Sequence, residues 1–354
     1  MAKRRGASNA WSRMAQQQAR WIMRRAVSEG KKALKRSTRA ATAATKATKT
    51  KPRTVPVAAV PTGGSWASGV ATGATGVRRY RLFKPTGLSR KGPGHPLVIM
   101  LHGCGQTATD FAASTRMNRL AALYGFMVLY PEQDRLANAQ ACWNWFDTRN
   151  GRAKLEATSI VSALEHACAS HPIDPGRVAI AGLSAGASMA ALVGLLFPHR
   201  FAAVVMHSGV EPMSANSPAT ALAAMRGRYR LALAPPGKVA QALPALLVVQ
   251  GSADRVVSRV NGMRAAQAWA ARTHAEPKEA RVVRRGKRYP FTTMDWLGPK
   301  RRLLVTLSEV NGLGHAWSGG AASQAYSDPK GPDASRMVWA FAQRQFERVG
   351  SNRG

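Results

Sequence analysis

Val178-Ala-Ile-Ala-Gly182-Leu-Ser184-Ala-Gly186-Ala-Ser-Met-Ala190 reads as a short apolar run, a turn between two glycines, and a run of helix formers. An apolar run of this length is what a strand covered on both faces requires, and the Ala/Met stretch after it suits a helix. A serine held between glycines at such a strand-to-helix turn stands clear of the backbone at the strand's carboxyl end. The helix that follows would set its positive dipole end beneath any negative charge developing there. Gly-x-Ser-x-Gly alone is weak in a chain with 32 glycines; between a strand and a helix it is specific.

Outward from this segment the texture repeats. Apolar runs at Leu97–Leu101, Phe126–Tyr130, Val178–Ala181, Ala203–Met206, Ala245–Gln250 and Leu303–Leu307 alternate with helical patterns near 110–124, 157–169, 185–196, 260–271 and 334–346. Strands alternating with helices imply right-handed crossovers and a doubly wound, mostly parallel sheet with helices on both faces. The pattern spans residues 77–349 as one domain.

A nucleophilic serine needs a base, and the base needs an orienting acid. At a Gly-x-Ser-x-Gly turn of the α/β-hydrolase fold the chain order is serine, acid, histidine. His199, His207, His274 and His315 follow Ser184. His199 belongs to a helix-ending Phe-Pro-His-Arg turn. His207 directly follows a strand, with no acid suitably placed. His315, in Asn311-Gly-Leu-Gly-His-Ala-Trp317 after the last strand, fits the base. Asp254 in Gly251-Ser-Ala-Asp-Arg-Val-Val257 follows the strand at 245–250, at the sheet edge where sites of such folds lie. Glu211 and Asp295 are poorer choices. The oxyanion donors expected are the backbone N–H of Ala185 and that of Cys104 in the loop His102-Gly-Cys-Gly-Gln106.

With these motifs assembled, the chain resembles the poly(3-hydroxybutyrate) depolymerase family of esterases. The resemblance rests on Leu101-His-Gly-Cys-Gly-Gln106, Cys142-Trp-Asn-Trp-Phe146, Gly182-Leu-Ser-Ala-Gly186, Gly314-His-Ala-Trp-Ser-Gly-Gly320 and Asp328-Pro-Lys-Gly-Pro-Asp-Ala334, and covers roughly 78–347. It implies ester hydrolysis through an acyl-enzyme, without metal or cofactor, on hydroxyalkanoate polymers, oligomers or other short-chain esters. Feruloyl and acetyl-xylan esterases share the grouping and form the alternative. The resemblance further implies a Cys104–Cys142 disulfide, against which two buried thiols remain open. Trp143, Trp145 and Trp317 become candidate walls of an apolar acyl cleft, with core packing as their other reading. A peptidase or acyltransferase would use the same triad.

The composition adds a separate feature. The net charge is +35, and residues 1–54 carry +15 of it, sixteen bases against the single acid Glu29. Residues 9–36 have the makings of a basic helix bearing Trp11, Trp21 and Ile22. The Ala/Thr/Lys run beyond reads as a disordered tether, and Gly63, Gly64, Gly69, Gly73 and Gly76 as linker, so that 1–60 form a basic extension. Such charge would attract an anionic granule, membrane or nucleic acid, which leaves a granule- or nucleic-acid-binding protein as the reading from another class. Lys3, Arg4 and Arg5 are followed by no apolar stretch, so no secretion signal is read and the cytoplasm is expected. Many members of the resembled family are secreted. Cys104, Cys142 and Cys168 show no zinc-site spacing.

Overall fold

The computed structural model describes residues 63–73, 76–89, 91–229 and 243–351. The basic extension and its expected helix lie outside the described residues. Thirteen strands are described: β1 Gly64–Gly73, β2 Gly76–Pro85, β3 His95–Leu101, β4 Met127–Pro131, β5 Ile173–Leu183, β6 Ala203–His207, β7 Ala245–Gly251, β8 Glu276–Pro277, β9 Arg281–Val283, β10 Phe291–Leu297, β11 Leu303–Val310, β12 Trp317–Ser318 and β13 Ser327–Asp328. The α-helices are α1 Ala108–Thr115, α2 Met117–Tyr124, α3 Arg152–Ser170, α4 Ala185–Leu196, α5 Pro218–Met225, α6 Val260–Thr273 and α7 Ala334–Ser351.

The main sheet runs β1-β2-β4-β3-β5-β6-β7-β11-β10-β8, with β9 also on β10. Its centre, β4 through β11, is parallel, and antiparallel strands close both edges. The parallel strands are apolar along their central stretches because each face has its own core. Leu97, Ile99 and Leu101 of β3 pack to one side with α3, α4 and α6, while Val98 and Met100 pack to the other with α1, α2 and α7. Val178 and Ile180 of β5 divide from Ala179 and Ala181 in the same way. Each fully buried aliphatic side chain is worth about 1.5–3 kcal/mol of burial, and the six central strands contribute to both cores. This is the doubly wound, mostly parallel α/β architecture that the sequence implies. Among the described residues no helix is long and apolar enough to cross a membrane.

Two local expectations are corrected. The glycines at 64–73 are not linker but strand β1, paired with β2 along its whole length. A Cβ at Gly64 would lie 2.3 Å from the Phe83 ring, and one at Gly69 would lie 2.1 Å from the Tyr80 ring; glycine there makes room for the aromatic rings of the neighbouring strand. The helical pattern at 110–124 is two helices, because Arg116 adopts a left-handed conformation (φ 55°) that ends α1 and begins α2. Its guanidinium is used to bind the Gly319 and Gly320 carbonyls beside the loop that carries His315.

Candidate active site

Ser184 sits between β5 and α4 with φ 58° and ψ −121°, a strained backbone for a residue with a side chain. The strain is enforced by contact on both sides. A Cβ on Gly182 would lie 2.3 Å from the backbone of Gly186, and one on Gly186 would lie 2.2 Å from the Leu101 carbonyl oxygen. Ser184 occupies the N-cap of α4, yet its hydroxyl makes no capping bond. Its backbone N–H donates to the His207 carbonyl at 2.9 Å, which ties the turn to the end of β6.

Asp254 and His315 are brought together from loops 61 residues apart: His315 Nδ1 and Asp254 Oδ2 are 2.8 Å from each other. The other carboxylate oxygen accepts the backbone N–H groups of Val256 and Val257, each at 2.9 Å. Burial opposes ionisation of this carboxyl. The His315 charge and hydrogen bond, with the two N–H donors, outweigh burial and hold the group below the usual carboxylate range. An ionised Asp254 fixes the His315 proton on Nδ1 and leaves Nε2 as the free acceptor. No hydrogen bond joins Ser184 Oγ to His315 among the described residues.

His207 links the two halves of the site. Its carbonyl holds Ser184, while its Nε2 accepts the Ser318 N–H at 3.1 Å and its ring stacks on Trp317 with centroids 4.9 Å apart. Burial, reinforced by the charge of His315, lowers its pKa to about 3. The ring therefore stays neutral and keeps its accepting nitrogen. The loop after His315 is fastened further by the segment at 328–333: Gly319 N–H donates to the Asp328 carbonyl at 2.7 Å and Ser318 Oγ to the Pro332 carbonyl at 2.6 Å. Glu211 and Asp295, the poorer acid candidates, are occupied elsewhere, Glu211 with Arg272 and Asp295 with Arg281 and Thr306.

The loop 102–106 lies against the serine turn, since the Leu101 and His102 carbonyls face Gly186. Among the described residues the backbone N–H groups of Cys104 and Ala185 have no hydrogen-bond partner, whereas Gly103, Gly105 and Gln106 beside them all do. Cys104 and Cys142 form a disulfide with Cα atoms 4.2 Å apart, tying this loop to the tryptophan segment; Cys168 is a free thiol.

The tryptophans require a correction. Trp143 is 0% exposed and donates Nε1–H to the His102 carbonyl at 3.1 Å. Trp317 is 1% exposed, packs on Phe111 and donates to Ser335 Oγ at 3.0 Å. Both are core rings whose polar tips are satisfied internally, so neither walls an open cleft. Trp145, against Phe146, keeps a 5% exposed edge. Sequence reasoning set His207 aside as a base and missed its part in joining Ser184 to the loop after His315; a single histidine at the end of a strand offers no pattern for that role.

With this geometry in place, comparison with known proteins decides the family. The profile described as esterase PHB depolymerase matches residues 78–273, more than half of the chain. The chain belongs to this family. Similar proteins include poly(3-hydroxyalkanoate) depolymerase C of Paucimonas lemoignei, 36% identical over 148 residues, covering 41% of this chain and 35% of that protein. Feruloyl esterase B of Neurospora crassa is 30% identical over 138 residues, 38% of this chain and 45% of that protein. The chain thus aligns with less than half the length of either relative. Among solved structures, an acetyl xylan esterase from Aspergillus awamori superposes with a TM-score of 0.59 at 18% identity, covering 71% of this chain and 94% of that one, which supports the α/β-hydrolase fold of the family.

Proposed function

We propose that this chain is a serine carboxylic ester hydrolase with Ser184 as nucleophile, His315 as general base and Asp254 as the acid that orients it. The observation that carries the reading is the 2.8 Å His315–Asp254 pair in the same site as a strained, uncapped Ser184 and two unpartnered N–H groups. In this reading His315 Nε2 takes the Ser184 Oγ proton as Oγ attacks the ester carbonyl. The oxyanion receives the N–H groups of Cys104 and Ala185. Collapse expels the alcohol, which leaves with the proton from His315, and an acyl-serine remains. Water, deprotonated by His315, then attacks the acyl-serine; the Oγ–acyl bond breaks, His315 returns the proton to Ser184 Oγ, and the carboxylic acid leaves.

The substrate class we assign is the hydroxyalkanoate oligomer or another short-chain ester, by similarity to the Paucimonas depolymerase. Feruloyl and acetylated-xylan esters are the competing class, following the Neurospora and Aspergillus proteins. The basic segment 1–54 is assigned the separate role of anchoring the enzyme to an anionic surface. A panel of p-nitrophenyl acetate and butyrate, hydroxybutyrate trimer, methyl ferulate and acetylated xylan, run with wild type and Ser184→Ala, tests the reading. Turnover of the hydroxybutyrate trimer with the highest kcat/KM supports it. A preference for methyl ferulate or xylan selects the competing class, and turnover by Ser184→Ala removes the serine mechanism.

A further inference from the structure

Behind the loop 102–106 lies a buried group of polar side chains that the triad does not use. Arg78 on β2, His102, Gln133, Asn144 and Glu156 on α3 are 5%, 1%, 5%, 3% and 6% exposed. Buried charges persist only where hydrogen bonds and opposite charges answer them, and here the cation and the anion both bond one amide. Arg78 Nη1 donates to Gln133 Oε1 at 2.8 Å and to the Glu132 carbonyl at 2.7 Å, and its Nε donates to Ser159 Oγ at 3.0 Å. Glu156 Oε1 accepts Gln133 Nε2 and Asn144 Nδ2, both at 2.6 Å, and its Oε2 accepts the Asn144 backbone N–H at 2.7 Å. Gln133 stands between a cation and an anion, its carbonyl toward one and its amine toward the other, so the amide has one orientation.

That amide is also saturated. Oε1 accepts a second bond from the Asp134 N–H at 3.2 Å, and Nε2 donates a second to the Cys142 carbonyl at 3.0 Å, filling the four positions a glutamine side chain has. Its backbone N–H donates to His102 Nε2 at 3.1 Å. Burial lowers the His102 pKa; the neutral ring carries its proton on Nδ1 and donates to the Gly103 carbonyl at 2.9 Å. Gln133 therefore grips His102 on one side and Cys142 on the other. Trp143 closes the circuit, donating to the His102 carbonyl beneath the Arg78 guanidinium, 5.1 Å from its ring. These are the two segments that the Cys104–Cys142 disulfide joins.

We propose that Gln133, oriented by Arg78 and Glu156, is a positioning residue that aims the Cys104 N–H at the oxyanion. A disulfide limits how far two segments separate but not how they rotate about the bond; the clamp on His102 and Cys142 supplies the orientation. The inference rests on the serine-esterase reading with Cys104 as a donor. Negative charge builds on the carbonyl oxygen only in the transition state, so a misaimed donor lowers kcat and leaves ground-state binding almost unchanged.

The test is kcat, KM and Tm for Gln133→Met, which keeps the volume and removes the amide, alongside Glu156→Gln, Arg78→Lys and Ser184→Ala. Rates are expressed per site titrated by the p-nitrophenyl butyrate burst. A butyl boronic acid, whose serine adduct places an oxygen in the oxyanion position, is the second probe. Gln133→Met and Glu156→Gln are expected to lose about 10- to 100-fold in kcat, the scale of a misplaced group near the chemistry, with KM within about threefold. Boronate affinity is expected to fall in step with kcat, and Arg78→Lys to fall in between. Wild-type kcat and boronate affinity per titrated site in any of the three that folds overturns the proposal. So does a loss confined to the number of titratable sites. Turnover by Ser184→Ala would instead sink the esterase reading, while an inactive Ser184→Ala beside a fully active Gln133→Met sinks only the clamp.

Discussion

Replacing Asp254 by Asn keeps the size of the side chain and changes which hydrogen bonds it accepts. In the native site Oδ1 accepts two backbone N–H groups, from Val256 and Val257, and Oδ2 accepts His315 Nδ1. The asparagine carbonyl must remain with the two N–H donors, because turning the amide would leave both unsatisfied at about 1–3 kcal/mol each. Its NH2 then faces His315 Nδ1. A donor against a donor forces the imidazole into the other tautomer, with the proton on Nε2, the nitrogen that must receive the Ser184 proton. In the serine-protease template this exchange costs about 10⁴ in kcat, or ~5.4 kcal/mol at ~1.36 kcal/mol per tenfold. Initial rates on p-nitrophenyl butyrate, with KM and Tm measured on the same preparation, check it: kcat falls by about four orders of magnitude and Tm changes little. If Asp254→Asn keeps a tenth of wild-type kcat, or if Glu211→Gln produces the loss instead, the acid has been misassigned.

Three further outcomes are expected. Cys142→Ser opens a disulfide that spans 38 residues, and loop-closure entropy sets the loss of stability at about 3–4 kcal/mol, read from urea unfolding with and without reductant; equal midpoints in all samples would contradict it. Burial pushes the Glu211 carboxyl up to about 7, above its unfolded value, against the charge of Arg272. The native state thus favours the protonated acid, and the stability this brings is present below about pH 4.3 and lost as pH rises through about 7. Glu211→Gln should accordingly gain Tm relative to wild type between pH 5 and pH 8, and a difference that stays flat over that range refutes the assignment. Deleting residues 1–60 leaves kcat on a soluble ester unchanged and weakens retention on anionic vesicles, DNA or hydroxybutyrate granules at low salt; identical retention of both forms on all three surfaces rejects the anchoring role.

What the sequence revealed, and what it concealed, divides along physical lines. The central strands were legible because a strand buried on both faces has few polar positions to break its run, as Leu97–Leu101 and Ala245–Val249 show. The serine turn was legible because its two glycines are required by close backbone approach, so the motif is the geometry. Asp254 and His315 followed from chain order once the strands were placed. Strand β1 was concealed because its glycines answer to the rings of Phe83 and Tyr80 on the next strand, a cross-strand fact that a local reading takes for linker. Trp143 and Trp317 were misread for a related reason: an indole beside a catalytic motif serves as well for a buried hydrogen-bonded strut as for a cleft wall, and only His102 and Ser335 at their N–H groups tell the difference. The clamp of Arg78, Gln133, Asn144 and Glu156 draws on four separate stretches of chain with no shared period, and nothing short of the fold brings them together.

The central claim, that Ser184 is the nucleophile of an ester hydrolase, is tested most directly by covalent capture. The full-length protein is treated with an alkyl fluorophosphonate, digested and read by mass spectrometry, with p-nitrophenyl butyrate turnover followed in parallel. The account predicts one phosphonyl adduct per chain, on Ser184, with activity lost in proportion to labelling and no adduct on Ser184→Ala. Activity that survives stoichiometric labelling, or an adduct on another residue that tracks the loss of activity, would contradict it.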